Sequence, residues 1–266
     1  MIHRGIFLLF LAFNLFAQQD SVYLAEHLAM GNPSNASVSL LAPDNYLMAK
    51  KQYVLSYNRF FGTANWVAWH TDSTWLGDIH RQNDFRADSM LPANWYHVHQ
   101  YSYRRSGYDR GHMCPSGDRT NTAEDNSLTF LMTNMIPQAP NNNRGPWAQF
   151  EIYCRDLVKQ GKELYIYSGG FGEQGYLDSG RVKIPAYTWK AVLVLDAGEN
   201  DLQRVTDSTR TIGVIMPNSN SRISIGNNWK SFRVSIDEIE KKTGFNLFPN
   251  LPADIQKRIE HVIDKN

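Results

Sequence analysis

The sequence predicts an α+β fold, and three observations carry that expectation. Strand-like and helix-like runs do not alternate regularly, which argues against a doubly wound parallel sheet. Five short runs read as strands, at Tyr53–Tyr57, Trp66–Trp69, Leu164–Tyr167, Trp189–Leu195 and Thr211–Met216, while three segments carry helical signals. The chain has 266 residues with 42 % apolar and 20 % charged content, long enough to bury its own core and too apolar for a disordered chain.

From the N-terminus, Met1–Arg4 supplies one cation and Gly5–Phe16 is apolar except for Asn14, with Ala17 ahead of Gln18. A cationic start, a dozen apolar residues and a small residue predict a secretory signal peptide over residues 1–17, with the mature chain, 18–266, as a single domain. The run falls short of the ~20 apolar residues that a membrane span needs. No later stretch resembles a span, so the mature chain is expected off the membrane, extracellular or periplasmic. Asn32–Ser39 is a polar lead-in. Lysine and arginine number 27 against 26 acidic residues. That balance excludes a histone-like basic footprint over the whole molecule and leaves room for a local basic cleft.

In the second half, Trp147, Phe150, Cys154, Leu157 and Val158 fall at helical spacing, and Gly161 stops that helix. Ser235-Ile-Asp-Glu238 has the form of a capping box, for a helix that ends near Gly244. Ala253–Ile263 follows Pro252 as a terminal amphipathic helix. Two cysteines, Cys114 and Cys154, permit a disulfide in an exported protein or stand as buried thiols.

The chemistry concentrates in Gly107–Glu151. This segment holds Tyr108-Asp109-Arg110-Gly111-His112, Asp118-Arg119-Thr120, Thr133–Gln138, Asn141–Trp147 and Glu151. His112 is the side chain here whose ordinary pKa suits a base near neutrality. Gly111 lets the backbone turn beside it. Arg110 and Arg119 are suited to grip phosphate oxygens in bidentate fashion. Asn143 offers a hard oxygen to Mg²⁺, which keeps most of its waters and takes only one or two protein ligands. Glu151, eight residues on, lies ~12 Å further along a helix axis and suits the ion's water shell. Each residue also has a plain structural role open to it. Asn143 is placed to cap a helix, Glu151 to pair with Arg155 at i,i+4, and Asn141–Asn143 to form a turn.

Asp109-Arg110-Gly111-His112, followed by Asn134, Asn143 and Glu151 at these spacings, resembles the DNA/RNA non-specific endonuclease family. These are the ββα-metal, or His-Me finger, nucleases, and the likeness is strongest to their cyanobacterial sugar-nonspecific type. Tyr108–Thr120 and Thr129–Trp147 resemble it almost position by position. Ala64–His70 and Gly161–Ile166 resemble its flanking strands, so the likeness spans about residues 27–250. It implies an antiparallel β-sheet core with flanking helices and a ββα-metal active-site motif.

The resemblance also implies roles. His112 is the general base. Asn143 is the direct ligand of Mg²⁺, with Mn²⁺ as a substitute, and Glu151 holds the water shell. Asn134 orients His112, and Arg110 supports the metal shell and the phosphate. An upstream arginine stabilises developing charge. Arg81 is the candidate within Arg81–Asp88, and Arg86 is the alternative. Asp109 braces Arg110 or the turn. The sequence departs from the family at Cys114, where alanine is more usual, and a bridge to Cys154 would clamp the finger.

DNA and RNA are the implied substrates, cut to 5′-phosphate ends. Water from solution needs no 2′-hydroxyl, and contacts confined to phosphate carry no sequence information. A toxic nuclease also invites a dedicated inhibitor protein. The same chemistry would serve a metal-dependent phosphodiesterase on smaller esters, and an inactive chain would serve as a nucleic-acid-binding module.

Overall fold

Seven strands hydrogen-bond into one antiparallel sheet in this computed structural model, which describes residues 21–266. The expected signal peptide, residues 1–17, lies outside the described residues. The strands are β1 (Tyr46–Ala49), β2 (Val54–Asn58), β3 (Thr63–Thr71), β6 (Lys162–Phe171), β9 (Tyr187–Asp196), β10 (Arg210–Pro217) and β11 (Arg233–Val234), in the spatial order β1-β2-β3-β6-β9-β10-β11. Two smaller pairs stand apart: β4 (Asp109–His112) with β5 (Met135–Gln138), and β7 (Tyr176–Leu177) with β8 (Val182–Lys183). The helices that matter here are α1 (Ala123–Leu128), α2 (Ala148–Lys159), α3 (Ile236–Thr243) and α4 (Ala253–Glu260).

The central strands read as strong apolar runs because both faces of the sheet are covered. Successive side chains of a strand point to opposite faces. On β6, Leu164 and Ile166 enter one core while Tyr165 and Tyr167 enter the other. On β9, Val192 and Val194 join the first core, and Ala191, Leu193 and Leu195 the second. Helix α2 covers the first face with Phe150, Cys154, Leu157 and Val158, together with Met113, Cys114 and Ile136 from around β4 and β5. The second face is closed by Leu28 and Met30, by Ile236 and Ile239 of α3, by Leu247, Phe248 and Leu251, and by Ile259 of α4.

All five expected strands fall within strands of this sheet, extended or shifted by a few residues at their ends. Ser235 caps α3 through its Oγ, which accepts from the Glu238 amide at 3.2 Å, and Gly244 closes the helix at φ +77°. The terminal helix stops at Glu260, about a turn short of the expected Ile263. The polar lead-in is pinned to the sheet rather than free. Ser34 Oγ donates to Asn45 Oδ1 at 2.7 Å and accepts from Trp66 Nε1 at 2.8 Å. Cys114 and Cys154 are both buried free thiols, so the finger is held by packing and not by a bridge. Burial pushes both thiols up to about 12, which keeps them protonated and unreactive. Among the described residues, no helix is long and apolar enough to cross a membrane.

Candidate active site

Strands β4 and β5 pair in the register Asp109↔Gln138, Arg110↔Pro137, Gly111↔Ile136 and His112↔Met135. Gly111 is not a sharp turn, as its residue type suggested; it lies inside β4. A Cβ there would stand 2.6 Å from the Gln138 Cβ, so the Gln138 side chain packed over this position favours glycine. After β5 the chain makes one helical turn at Pro140–Asn142 and a wide turn at Asn143–Trp147, interrupted by Gly145 and Pro146, before α2 begins. Two strands and a helix therefore carry His112, Asn143 and Glu151 on one finger.

His112 is 7 % exposed, and its ring stands edge-on to Phe130 (centroids 4.8 Å apart) and to Phe85 (5.6 Å). Its Nε2 is buried without a hydrogen-bond partner. Burial first, then the guanidiniums of Arg81 and Arg110, hold the imidazole well below its ordinary pKa. The result is a neutral ring, fixed by packing, with no protein group competing for its lone pair.

Asn134 does not touch that ring. Its Oδ1 accepts from the Cys114 amide at 2.9 Å, and its Nδ2 donates to the carbonyls of Cys114 and Thr129, each at 2.8 Å. The Met113 amide donates to the Asn134 carbonyl at 3.0 Å. Asn134 thus fixes the backbone that follows His112.

The Asn143 side chain does not cap the helix that follows. Its Nδ2 donates to Asp109 Oδ2 at 2.9 Å, and no hydrogen bond engages its Oδ1 among the described residues. Asp109 also accepts Arg144 in bidentate fashion, at 2.8 and 2.6 Å, so it braces Asn143 and Arg144 rather than Arg110. Glu151 does not pair with Arg155. Lys190 Nζ donates to Glu151 Oε1 at 3.3 Å, whereas Arg155 donates to Asp118 at 3.0 Å. Lys190 rises from the central strand β9. It is 1 % exposed and lies 4.4 Å from the Trp147 ring and 5.3 Å from that of Trp69. Burial pushes the Glu151 carboxyl up, against the pull of Lys190 and Arg155. An unpaired amide oxygen with a carboxylate on the same finger is a donor set of hard oxygens, and it fits a hard divalent cation.

The arginines sort themselves by partner. Arg81 donates to Asn83 Oδ1 at 2.8 Å and Ser116 Oγ at 2.7 Å, and its guanidinium lies 4.7 Å from the Phe130 ring that flanks His112. Burial, offset by the Glu151 charge and joined by Arg110, lowers its pKa, so Arg81 senses both sides of the site. Arg86 is engaged elsewhere, donating to Asp84 Oδ2 at 2.7 Å and to the Ser127 carbonyl at 3.0 Å. Arg110 lies 4.0 Å from the Phe85 ring. Arg119, read from the sequence as a phosphate grip, is wholly buried and donates to the carbonyls of Gln52, His70 and Asp118. It is a structural cation that ties the end of β3 to the segments around Gln52 and Asp118. Removing a preorganised donor typically costs about 10²–10³ in rate. Arg81→Ala is therefore expected to lose about that factor in kcat and Arg86→Ala to lose little. Steady-state cleavage of a defined oligonucleotide would compare them, and the reverse order would assign the role to Arg86.

Sequence reasoning missed Lys190, Ser116 and the aromatic walls Phe85 and Phe130. The signal for Lys190 was available, as a lone cation inside the apolar run Trp189–Leu195.

Comparison with known proteins bears on the family and the fold. The family described as DNA/RNA non-specific endonuclease matches residues 31–254. A protein named Nuclease from Nostoc sp. is 51 % identical over 241 residues, which covers 91 % of this chain and 87 % of the relative. The mitochondrial nuclease EXOG of Danio rerio is 30 % identical over 213 residues, covering 75 % of this chain and 60 % of its own length. A solved structure of the EndoG/EndoGI complex superposes with a TM-score of 0.73 at 23 % identity, over 89 % of this chain and 94 % of that chain, which shows a shared fold. The finger, the antiparallel sheet and these relatives agree: the chain belongs to the DNA/RNA non-specific endonuclease family, metal-dependent hydrolases of nucleic acid.

Proposed function

We propose that residues 18–266 form an exported, Mg²⁺-dependent endonuclease, with Mn²⁺ as a substitute, that hydrolyses phosphodiester bonds of DNA and RNA with little sequence preference. The observation that carries this reading is the neutral, unpaired His112 between two arginines, on the finger that also presents the unpaired Asn143 oxygen. His112 takes the proton of the attacking water, a step worth typically ~10²–10⁴ in rate. Arg81 and Arg110 face the charge that develops on phosphate. Asn143 would hold the cation directly, with Glu151 behind it. Bound there, the cation would supply Lewis-acid relief to the leaving 3′-oxygen. The products are 5′-phosphate and 3′-hydroxyl ends. The named groups address phosphate and water, not base edges, which supports sequence tolerance.

The test is incubation of the purified mature chain with supercoiled plasmid and with RNA, each with Mg²⁺ or EDTA. Metal-dependent loss of both substrates is expected, with cleavage falling steeply as salt rises. A folded, metal-loaded chain that binds but cuts neither would be a binding module. One that hydrolyses only small phosphodiesters would act on smaller esters.

A further inference from the structure

Helices α3 and α4, on the face of the sheet away from the finger, bring three carboxylates together without a counter-charge. Asp237, Glu240 and Glu260 each offer an oxygen, and these oxygens lie within 4.8 Å of one another. Asp237 and Glu240 sit one turn apart on α3. Glu260 reaches them from the last residue of α4, 4 % exposed, and its Oε1 is buried without a hydrogen-bond partner. Glu240 spends Oε1 on the Leu247 amide, at 2.7 Å, and keeps its other oxygen.

Two features make this placement costly for an empty cluster. A buried, unpaired carboxylate is among the most expensive groups to bury. Glu260 also ends its helix, where the macrodipole is negative and favours cations. Of the basic residues on these helices, Lys242 pairs with Glu238 and Arg258 with Asp207, and the charges that act on Glu260 are those of Glu240 and Asp237. Burial, followed by the charges of Glu240 and Asp237, pushes the Glu260 carboxyl up to about 8. The other acidic group that gathers a histidine, His70 with Asp72 and Glu163, is different. There Arg204 pairs with Glu163, and His70 lies between Glu163 and Glu26.

We propose that Asp237, Glu240 and Glu260 form a second divalent-cation site, of the calcium class, that clamps the terminal helix α4 to α3. Two oxygens that bind one Ca²⁺ at 2.3–2.6 Å stand no more than about 5 Å apart, which this spacing meets. The donors are all oxygen, they bear three negative charges once a cation displaces the Glu260 proton, and exposed Asp237 leaves one side open to water. Calcium accepts such irregular sets of six to eight oxygens, where Mg²⁺ demands a near-ideal octahedron. The site shares no residue with the finger, so its role is to stabilise the fold.

Calorimetric titration of Ca²⁺ into the full chain carrying Asn143→Ala tests this without an ion at the finger. One Ca²⁺ is expected to bind. At a hundred times Kd it should raise Tm by about 5–10 °C. Glu260→Gln in the same background should lose both effects. Should that variant fail to fold, exposed Asp237→Asn is expected to weaken binding at least about tenfold. Absence of Ca²⁺ binding to the Asn143→Ala chain would overturn the proposal, as would unchanged affinity in either carboxylate variant. A Glu260→Gln chain that is more stable than its parent and indifferent to Ca²⁺ would overturn it too, and would show that the cluster holds a proton.

Discussion

His112→Ala is expected to lower kcat by about 10²–10⁴ while leaving the fold in place, because among the described residues that line the site its ring is the neutral, unpaired group able to take a proton. The imidazole makes no protein hydrogen bond among the described residues, so its loss breaks no polar network. The pH profile gives the same ring a second signature. Its pKa is held down by burial and by Arg81 and Arg110, so the basic form persists below the ordinary histidine value. The acid limb of kcat/KM against pH should therefore fall below pH ~6.5. Arg81→Ala should move that limb upward by removing one repelling charge. Circular dichroism would establish folding, and gel-based cleavage the rate. A folded His112→Ala chain with more than a few per cent of wild-type activity would remove His112 from the role of base, as would an acid limb above the ordinary histidine value.

The second large effect is expected at Asn143. Asn143→Ala should lower cleavage by more than the 10–100-fold typical of losing a supporting contact to a metal, because it removes the oxygen proposed to bind the ion directly. Raising Mg²⁺ should restore little of the loss. Asp109→Ala, which frees the Asn143 amide without removing its oxygen, should cost less and respond more to added Mg²⁺. A metal titration of activity for the three chains separates these outcomes. Wild-type activity in Asn143→Ala would move the cation to another ligand.

The parts of the fold that were legible are those whose residues are set by burial alone. The runs at Leu164–Tyr167 and Trp189–Leu195 sit mid-sheet with both faces covered, so nearly every position is apolar and strand-forming. The edge strands β1 and β11 are short, and β4 reads Asp-Arg-Gly-His, whose residue types answer to chemistry and not to strand propensity. At the candidate site, residue type singled out His112, Asn143 and Glu151, which the fold carries on one finger. Orientation was not legible. Arg81 and Arg86 lie five residues apart in one loop, and the sequence is silent on which points inward. Arg119 looked like a ligand for phosphate because a buried arginine satisfied by three carbonyls has no local signature. Lys190 was hidden because its partner, Glu151, is 39 positions away.

The pairing of Lys190 with Glu151 bears on modularity. The segment from Asp109 to Lys159 contains the proposed base, the proposed cation ligand and the carboxylate behind it, and it invites transplantation as a self-sufficient cassette. Yet the cation that meets that carboxylate stands on β9, and Arg81 arrives from a loop ahead of β4. A graft of the cassette onto another scaffold would bury Glu151 with its lysine missing and present phosphate with one guanidinium fewer. The sheet is thus a component of the catalytic apparatus and not a plinth beneath it, and the smallest transferable nuclease is close to the whole domain.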